Sequence, residues 1–124
     1  MLKTIFGFLA LLLLTSCAKD TEPSGDLNGT YSGFFVRSGD LTDEGSVRIV
    51  FVANIFSGET TAPNLNICNG NYDILGDSIQ FKNLCSGINL LNGNFYLRSN
   101  GDSLYFSRNV DSVLHYQELF VLKK

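Results

Sequence analysis

Residues 66–85 read NICNGNYDILGDSIQFKNLC, from Asn66 to Cys85. Gly76-Asp77 sits near the middle, and such dipeptides favour a two-residue hairpin turn. A two-residue turn there sets Ile74 opposite Ile79 and Tyr72 opposite Phe81. The same register carries Cys68 to a position opposite Cys85. Directly opposed residues of an antiparallel pair stand about 4.5–5.5 Å apart, within disulfide reach. Two apolar pairs and the cysteine pair therefore fall on one face. Asp73 and Gln80 fall on the other, in water.

The pattern repeats along the chain. Asn28-Gly29-Thr30-Tyr31, Asn69-Gly70-Asn71-Tyr72 and Asn92-Gly93-Asn94-Phe95 are variants of one opening. The last two each run on into a strand, a Gly-Asp step and a second strand. For the later hairpin, Asn100-Gly101 is the stronger type I′ signal. Centred there, the turn sets Leu97 opposite Leu104, Phe95 opposite Phe106, and Tyr96 opposite Tyr105, with Arg98 and Ser103 facing water. Thr30–Arg37 is rich in aromatic and β-branched residues. In Ser46–Val52, Val47, Ile49 and Phe51 alternate against Arg48. A tight turn at Ala53-Asn54 pairs Phe51 with Phe56 and returns the chain along 55–60. Leu114–Leu122 closes the domain. Eight short strands with no helix after residue 27 predict an all-β domain. The expected architecture is an eight-stranded antiparallel up-and-down β-barrel, with a β-sandwich of the same strand count as the alternative. A barrel also removes the open edges that strands this apolar would expose.

The whole chain is 124 residues, enough for one domain. Its formal net charge is -3, and it has no basic run. Clustered Lys and Arg are what nucleic-acid binding needs, so no nucleic-acid partner is expected.

The first residues stand apart from the fold. Lys3 precedes a ten-residue apolar run, Ile5–Leu14, broken by Gly7. That is half of a membrane span and the size of a signal-peptide core. Leu14-Thr15-Ser16-Cys17 follows, and it resembles the lipobox of bacterial lipoproteins. The resemblance implies cleavage before Cys17, a diacylglyceryl thioether on its sulfur and an acylated amino terminus. Several acyl chains anchor a protein firmly where one holds it only marginally. The expected layout is a signal peptide over 1–16, a lipidated flexible tether over 17–26 and a β-barrel domain over 27–124. The expected location is the bacterial cell envelope, at the outer membrane. With Cys17 given to lipid, Cys68 and Cys85 are the two cysteines left. Outside the cytoplasm they are expected to oxidise, which stabilises a loop of this size by about 3 kcal/mol.

Residues 27–124 resemble the small lipocalin-like, calycin-type lipoproteins of bacteria. The likeness rests on Gly29-Thr30-Tyr31, with Tyr where the lipocalin Gly-x-Trp opening has Trp. It rests also on the Cys68…Cys85 hairpin and on Tyr116-Gln117-Glu118-Leu119. It implies the barrel, and with it the range of lipocalin-like roles, from binding a small ligand to inhibiting a protease.

Signals for chemistry are sparse. His115 is the one histidine, read as a mid-strand structural side chain. No nucleophile elbow and no phosphate-cradling glycine loop is present. No enzymatic activity, cofactor or metal is therefore expected. Asp40, Asp43 and Glu44 lie in an acidic stretch, Ser38–Gly45, read as a hairpin loop and a candidate interaction loop. Tyr31, Phe51, Tyr72, Phe81, Phe95 and Phe106 are the candidate interior contacts. They either line a small apolar pocket or fill the barrel, and strands this short favour filling. The leading expectation is a non-enzymatic, membrane-anchored interaction or envelope-maintenance lipoprotein acting through its loops on a protein partner. The alternative is a binder of a small apolar ligand.

Overall fold

Hydrophobic alternation with period two dictates strands that bury one face, and the computed structural model shows them. It describes residues 27–124, so the signal peptide, Cys17 and the tether lie outside the described residues. The strands are β1 Gly29–Gly39, β2 Asp43–Val52, β3 Ile55–Thr60, β4 Cys68–Leu75, β5 Ser78–Asn83, β6 Gly93–Asn100, β7 Ser103–Asp111 and β8 His115–Lys123. Each pairs antiparallel with the next, and β1 pairs with β8, closing an up-and-down barrel. Closure settles the choice between barrel and sandwich.

The barrel has two unlike ends. Ala53-Asn54, Gly76-Asp77 and Gly101-Asp102 join strands at one end, where the chain also enters at Leu27 and finishes at Lys124. Four longer connections, 40–42, 61–67, 84–92 and 112–114, crown the other.

The first hairpin has the expected register. Tyr72 opposes Phe81 and Ile74 opposes Ile79. Cys68 and Cys85 are bridged, with their Cα atoms 6.5 Å apart. The bridge lies just beyond the ladder, whose last rung is Gly70 with Asn83. It is therefore a half-buried rim clasp rather than part of the interior face. Phe51 opposes Phe56 across Ala53-Asn54, as expected.

The later hairpin turns one residue further on than expected. Leu97 opposes Phe106, Ser99 opposes Leu104, Tyr96 opposes Ser107, and Arg98 opposes Tyr105. The two central residues are Gly101 and Asp102, and Gly101 takes φ +65°. Gly76 does the same at +66°, so glycine fills the first central position of both turns, as a type II′ geometry requires. Asn100 stays extended and pairs with Ser103. Moving the turn by one residue shifts the pairing by two, so every side chain keeps its face. Phe95 and Phe106 become diagonal neighbours, their ring centroids 5.6 Å apart.

Inside, aromatic rings fill the barrel. Phe35, Phe51, Phe56, Phe81, Phe95, Phe106 and Phe120 are buried, with Tyr31 and Tyr72 at the tight-turn end. Phe81 meets Phe56, Phe95 and Phe106 at centroid distances of 5.0, 5.7 and 5.3 Å. Phe106 stacks on Phe120 at 4.6 Å, and Phe120 meets Phe35 at 4.8 Å. Phe81 meets Phe56 and Phe95 edge-to-face, an arrangement that ring quadrupoles favour.

At the tight-turn end the chain is latched as it enters. The Leu27 N–H donates to the Tyr72 hydroxyl at 2.9 Å, which donates to the Ala53 carbonyl at 2.8 Å. The Tyr31 hydroxyl donates to the Leu27 carbonyl at 3.1 Å, and the Ala53 N–H donates to Asn28 Oδ1 at 2.9 Å. The recurrent Asn-Gly-x-Tyr opening thus folds the chain start over the β2–β3 turn.

Two measurements test this packing. Phe81→Ala removes a ring touching three others and is expected to cost about 3–5 kcal/mol, read as a lowered thermal midpoint. Tyr31 supplies a pH signature. Burial, reinforced by the Asp102 carboxylate, raises its pKa above the ordinary 10. The unfolded chain then loses this proton before the folded one does. The resulting stabilisation is complete below about pH 10 and is lost as pH rises through the higher folded value. Denaturation curves should show stability declining in that alkaline range, with a shallower decline in Tyr31→Phe.

Candidate functional site

At the loop end the inward positions change from aromatic to charged. Arg37 on β1 follows Phe35 by two residues, Arg108 on β7 follows Phe106, and Glu118 on β8 precedes Phe120. The same alternation that buries the rings therefore points these three inward. Glu118 is 3% exposed and Arg37 8%. Arg37 donates from Nε and Nη2 to Glu118 Oε2, at 2.9 and 2.7 Å. Arg108 Nε donates to Oε1 at 2.8 Å. One carboxylate thus joins two guanidinium groups across β1, β8 and β7.

The arginines also rest on rings. The Arg108 guanidinium lies 4.3 Å from the Phe95 centroid, and that of Arg37 lies 5.3 Å from Phe35 and 5.5 Å from Tyr116. A desolvated cation over a ring face gains from the quadrupole. Each arginine then reaches up to a loop: Arg108 Nη1 donates to the Asn92 carbonyl at 2.8 Å, and Arg37 Nη1 to that of Asn64 at 3.4 Å. Asp43 stands 3.9 Å from Arg37 Nη1 and accepts the Asn64 N–H at 2.8 Å. Two cations face two anions, and no buried side-chain polar atom among the described residues lacks a partner. The hollow beside this network holds about 60 Å³. That suits water, whereas a ligand pocket holds about 300–1,000 Å³. The larger hollows described, of about 260–580 Å³, open onto the outer surface.

Above the network the loops are held by their backbones. Asn66 N–H donates to Asn89 O, and Leu91 N–H to Asn66 O, both at 2.9 Å. The Asn83 side chain donates to the Ile67 and Leu91 carbonyls at 2.8 and 3.1 Å. With the Cys68–Cys85 bridge, these bonds fasten loop 61–67 to loop 84–92. Asp40 and His115 hold the other side. The Asp40 N–H donates to the His115 carbonyl at 2.9 Å, and the His115 N–H to Asp40 Oδ2 at 2.8 Å. Apolar side chains stand among the polar ones outside this frame: Leu41, Leu84, Ile88, Val113 and Leu114 are exposed, Ile88 by 80% and Val113 by 92%, while Val52, Ile55 and Leu75 are exposed beside the tight turns of the other end.

The acidic stretch is divided among separate tasks. The connection between β1 and β2 is only 40–42, because Asp43 and Glu44 already belong to β2, opposite Arg37 and Val36. Asp40 caps the neighbouring loop, the Asp43 side chain is buried against Arg37, and Glu44 faces out. Among the described residues no three His, Cys, Asp or Glu side chains come together. His115 opens β8 rather than sitting mid-strand, and its exposed ring pairs with Asp111. Tyr31, Phe51, Tyr72, Phe81, Phe95 and Phe106 are all buried in the barrel. The sequence reading missed Arg37, Arg108 and Glu118. Their signal was available: a charge in step with phenylalanines two residues away.

Compared with known proteins, the chain matches no family model, no curated protein and no solved structure.

Removing the shared carboxylate should expose what the network contributes. Glu118→Ala leaves two guanidinium groups facing each other, one of them buried, and is expected to cost about 3–5 kcal/mol. Glu118→Gln keeps an acceptor and should cost less. Urea denaturation of both variants checks the order.

Proposed function

We propose that this chain is a lipocalin-like lipoprotein of the bacterial cell envelope. It is anchored at Cys17 and works without catalysis, presenting the loop end of its barrel to a protein partner. The observation that carries this reading is the set of exposed apolar tips, Leu41, Leu84, Ile88, Val113 and Leu114, on a braced backbone. Side chains this apolar gain from burial against a partner surface. Leu27 enters at the opposite end, so a tether leading back to Cys17 leaves from the face away from these tips. An anchor at one end and adhesive loops at the other suit a module that reaches outward from a membrane. The membrane of this proposal is the outer membrane, and the lipobox reading supplies its anchor. The interior favours this reading over a small-ligand carrier, since rings already occupy the space that an apolar ligand would take.

Two experiments test the anchor and the loops separately. Cys17→Ser should move the protein out of the membrane fraction and leave it unprocessed by mass spectrometry. Unchanged sedimentation and processing would falsify the anchor. A photo-crosslinking residue at Ile88 or Val113 should give a discrete protein adduct in intact cells, while one at Asp77, at the tight-turn end, should not. Adducts from Asp77 alone, or an apolar compound extracted in stoichiometric amount from the purified chain, would overturn the loop reading.

A further inference from the structure

Four asparagines of this chain stand directly before a glycine: Asn28, Asn69, Asn92 and Asn100. Asparagine is a chemically labile residue. A following glycine offers the least hindered backbone nitrogen for attack on the side-chain amide. By sequence the four steps are alike, and the fold separates them.

Three of the four are held. Asn28 Oδ1 accepts the Ala53 N–H at 2.9 Å, and Leu27 before it is latched by Tyr72 and Tyr31. Asn69 follows the bridged Cys68 and pairs with Ser57, while the buried Gly70 pairs with Phe56 on one side and Asn83 on the other. Asn92 Oδ1 accepts the Asn83 N–H at 2.9 Å, and the Asn92 carbonyl accepts Arg108 of the charged cap. Asn100 differs from all of them. It is exposed, and neither its side chain nor the Gly101 N–H has a hydrogen-bond partner among the described residues. No atom stands within 4 Å of the place where a side chain on Gly101 would begin. Asn100 with Ser103 is also the last rung before the turn.

That position matters because an extended strand holds the following nitrogen away from the side-chain amide carbon. Ring closure therefore starts from opened conformations, and the step that opens most easily reacts first. Opening the last rung frees Asn100 and leaves Ser99 paired with Leu104. Opening the other three steps breaks the entry latch, a doubly paired strand beside the disulfide, or the bonds of the charged cap.

We propose that Asn100 is a site of spontaneous deamidation in the folded protein. The Gly101 nitrogen loses its proton to solvent base and bonds to Asn100 Cγ. The bond from Cγ to Nδ2 breaks and ammonia leaves, which closes a succinimide. Water then opens the ring at either carbonyl. One product is an aspartate at position 100, and the other an isoaspartate whose chain runs through Cγ. Both add a negative charge at the turn that carries Asp102. The isoaspartate also lengthens the backbone at the rung with Ser103, which loosens the hairpin. The Lys124 N–H is tied to the same turn, through the Asp102 carbonyl at 2.9 Å. The site thus records the age of each copy, whatever the barrel binds.

Peptide mapping of the full chain tests this, after prolonged warm incubation in mild non-ionic detergent and mildly alkaline buffer. Asn100 should deamidate at least several-fold faster than Asn28, Asn69 or Asn92. In concentrated urea the four should react at rates within a few-fold of one another, since only the fold separates them. Asn100→Gln should abolish the early product without changing the thermal midpoint. The isolated isoaspartate form should melt below the unmodified chain. Asn100→Asp, which adds the charge without rerouting the backbone, should melt close to wild type. Native Asn100 reacting no faster than the other three, or keeping the same lead in urea, would overturn the assignment. An isoaspartate form that melts like wild type would overturn its effect on the turn.

Discussion

An eight-stranded barrel closes at a width barely larger than the side chains that point into it, and everything else in this molecule answers to that width. Phe81 reaches across to touch Phe56, Phe95 and Phe106, so rings from β3, β5, β6 and β7 meet in one contact set. Phe120 and Phe35 extend it to β8 and β1, the strands whose pairing closes the sheet. Without rings of this size the strands would enclose a void, and voids forfeit both dispersion contacts and hydrophobic stabilisation. Closure and filling are therefore one condition met twice, by the backbone and by the side chains.

The two ends solve the same problem with different chemistry. At the tight-turn end, Tyr31 and Tyr72 keep their rings in the core and their hydroxyls at its edge, where they bind the entering chain. At the loop end the connections are longer, and a bare aromatic layer there would face water. Arg37, Arg108 and Glu118 cap it instead. Their guanidinium planes lie over the last rings, and their remaining hydrogens reach the loop carbonyls. A buried ion pair is weak evidence for net stabilisation, since desolvation offsets much of the attraction. What this one does supply is a tie between the top of the core and the loops, through the Asn64 and Asn92 carbonyls.

The first hairpin was legible because three requirements agreed on one register: a turn dipeptide, two apolar pairs and two cysteines. The second was ambiguous for a physical reason. Turns centred on Asn100-Gly101 and on Gly101-Asp102 differ by two in pairing, so both bury Phe95, Leu97, Leu104 and Phe106. Hydrophobic pattern is blind to that choice, and the backbone makes it by placing Gly101 where φ must be positive. Asp43 and Glu44 resemble loop residues, being charged and in a stretch bounded by Gly39 and Gly45. They are strand because β2 continues to pair with β1 up to Arg37. The charged cap is invisible to an apolar pattern, because its members are charged residues at inward positions. Carried one step further along the same strands, from Phe35 to Arg37 and from Phe120 back to Glu118, alternation points to the site.

Consecutive Phe34 and Phe35 show how the two faces of one strand can serve different ends. Successive residues of a strand point to opposite sides, so Phe35 enters the core and Phe34 cannot. A strand needed only for the fold would carry a polar residue at position 34, as Ser32 and Ser38 do at neighbouring outward positions. The same holds for Leu119, between the buried Glu118 and Phe120. Large apolar side chains at these outward positions add nothing to a core already filled from the other face, and they keep a cost in exposure to water. With the interior given to packing, what the barrel does for other molecules falls to its surface. There the exposed apolar groups stand on the loop crown, on outward positions of β1, β8 and β6, and at Val52, Ile55 and Leu75 beside the tight turns.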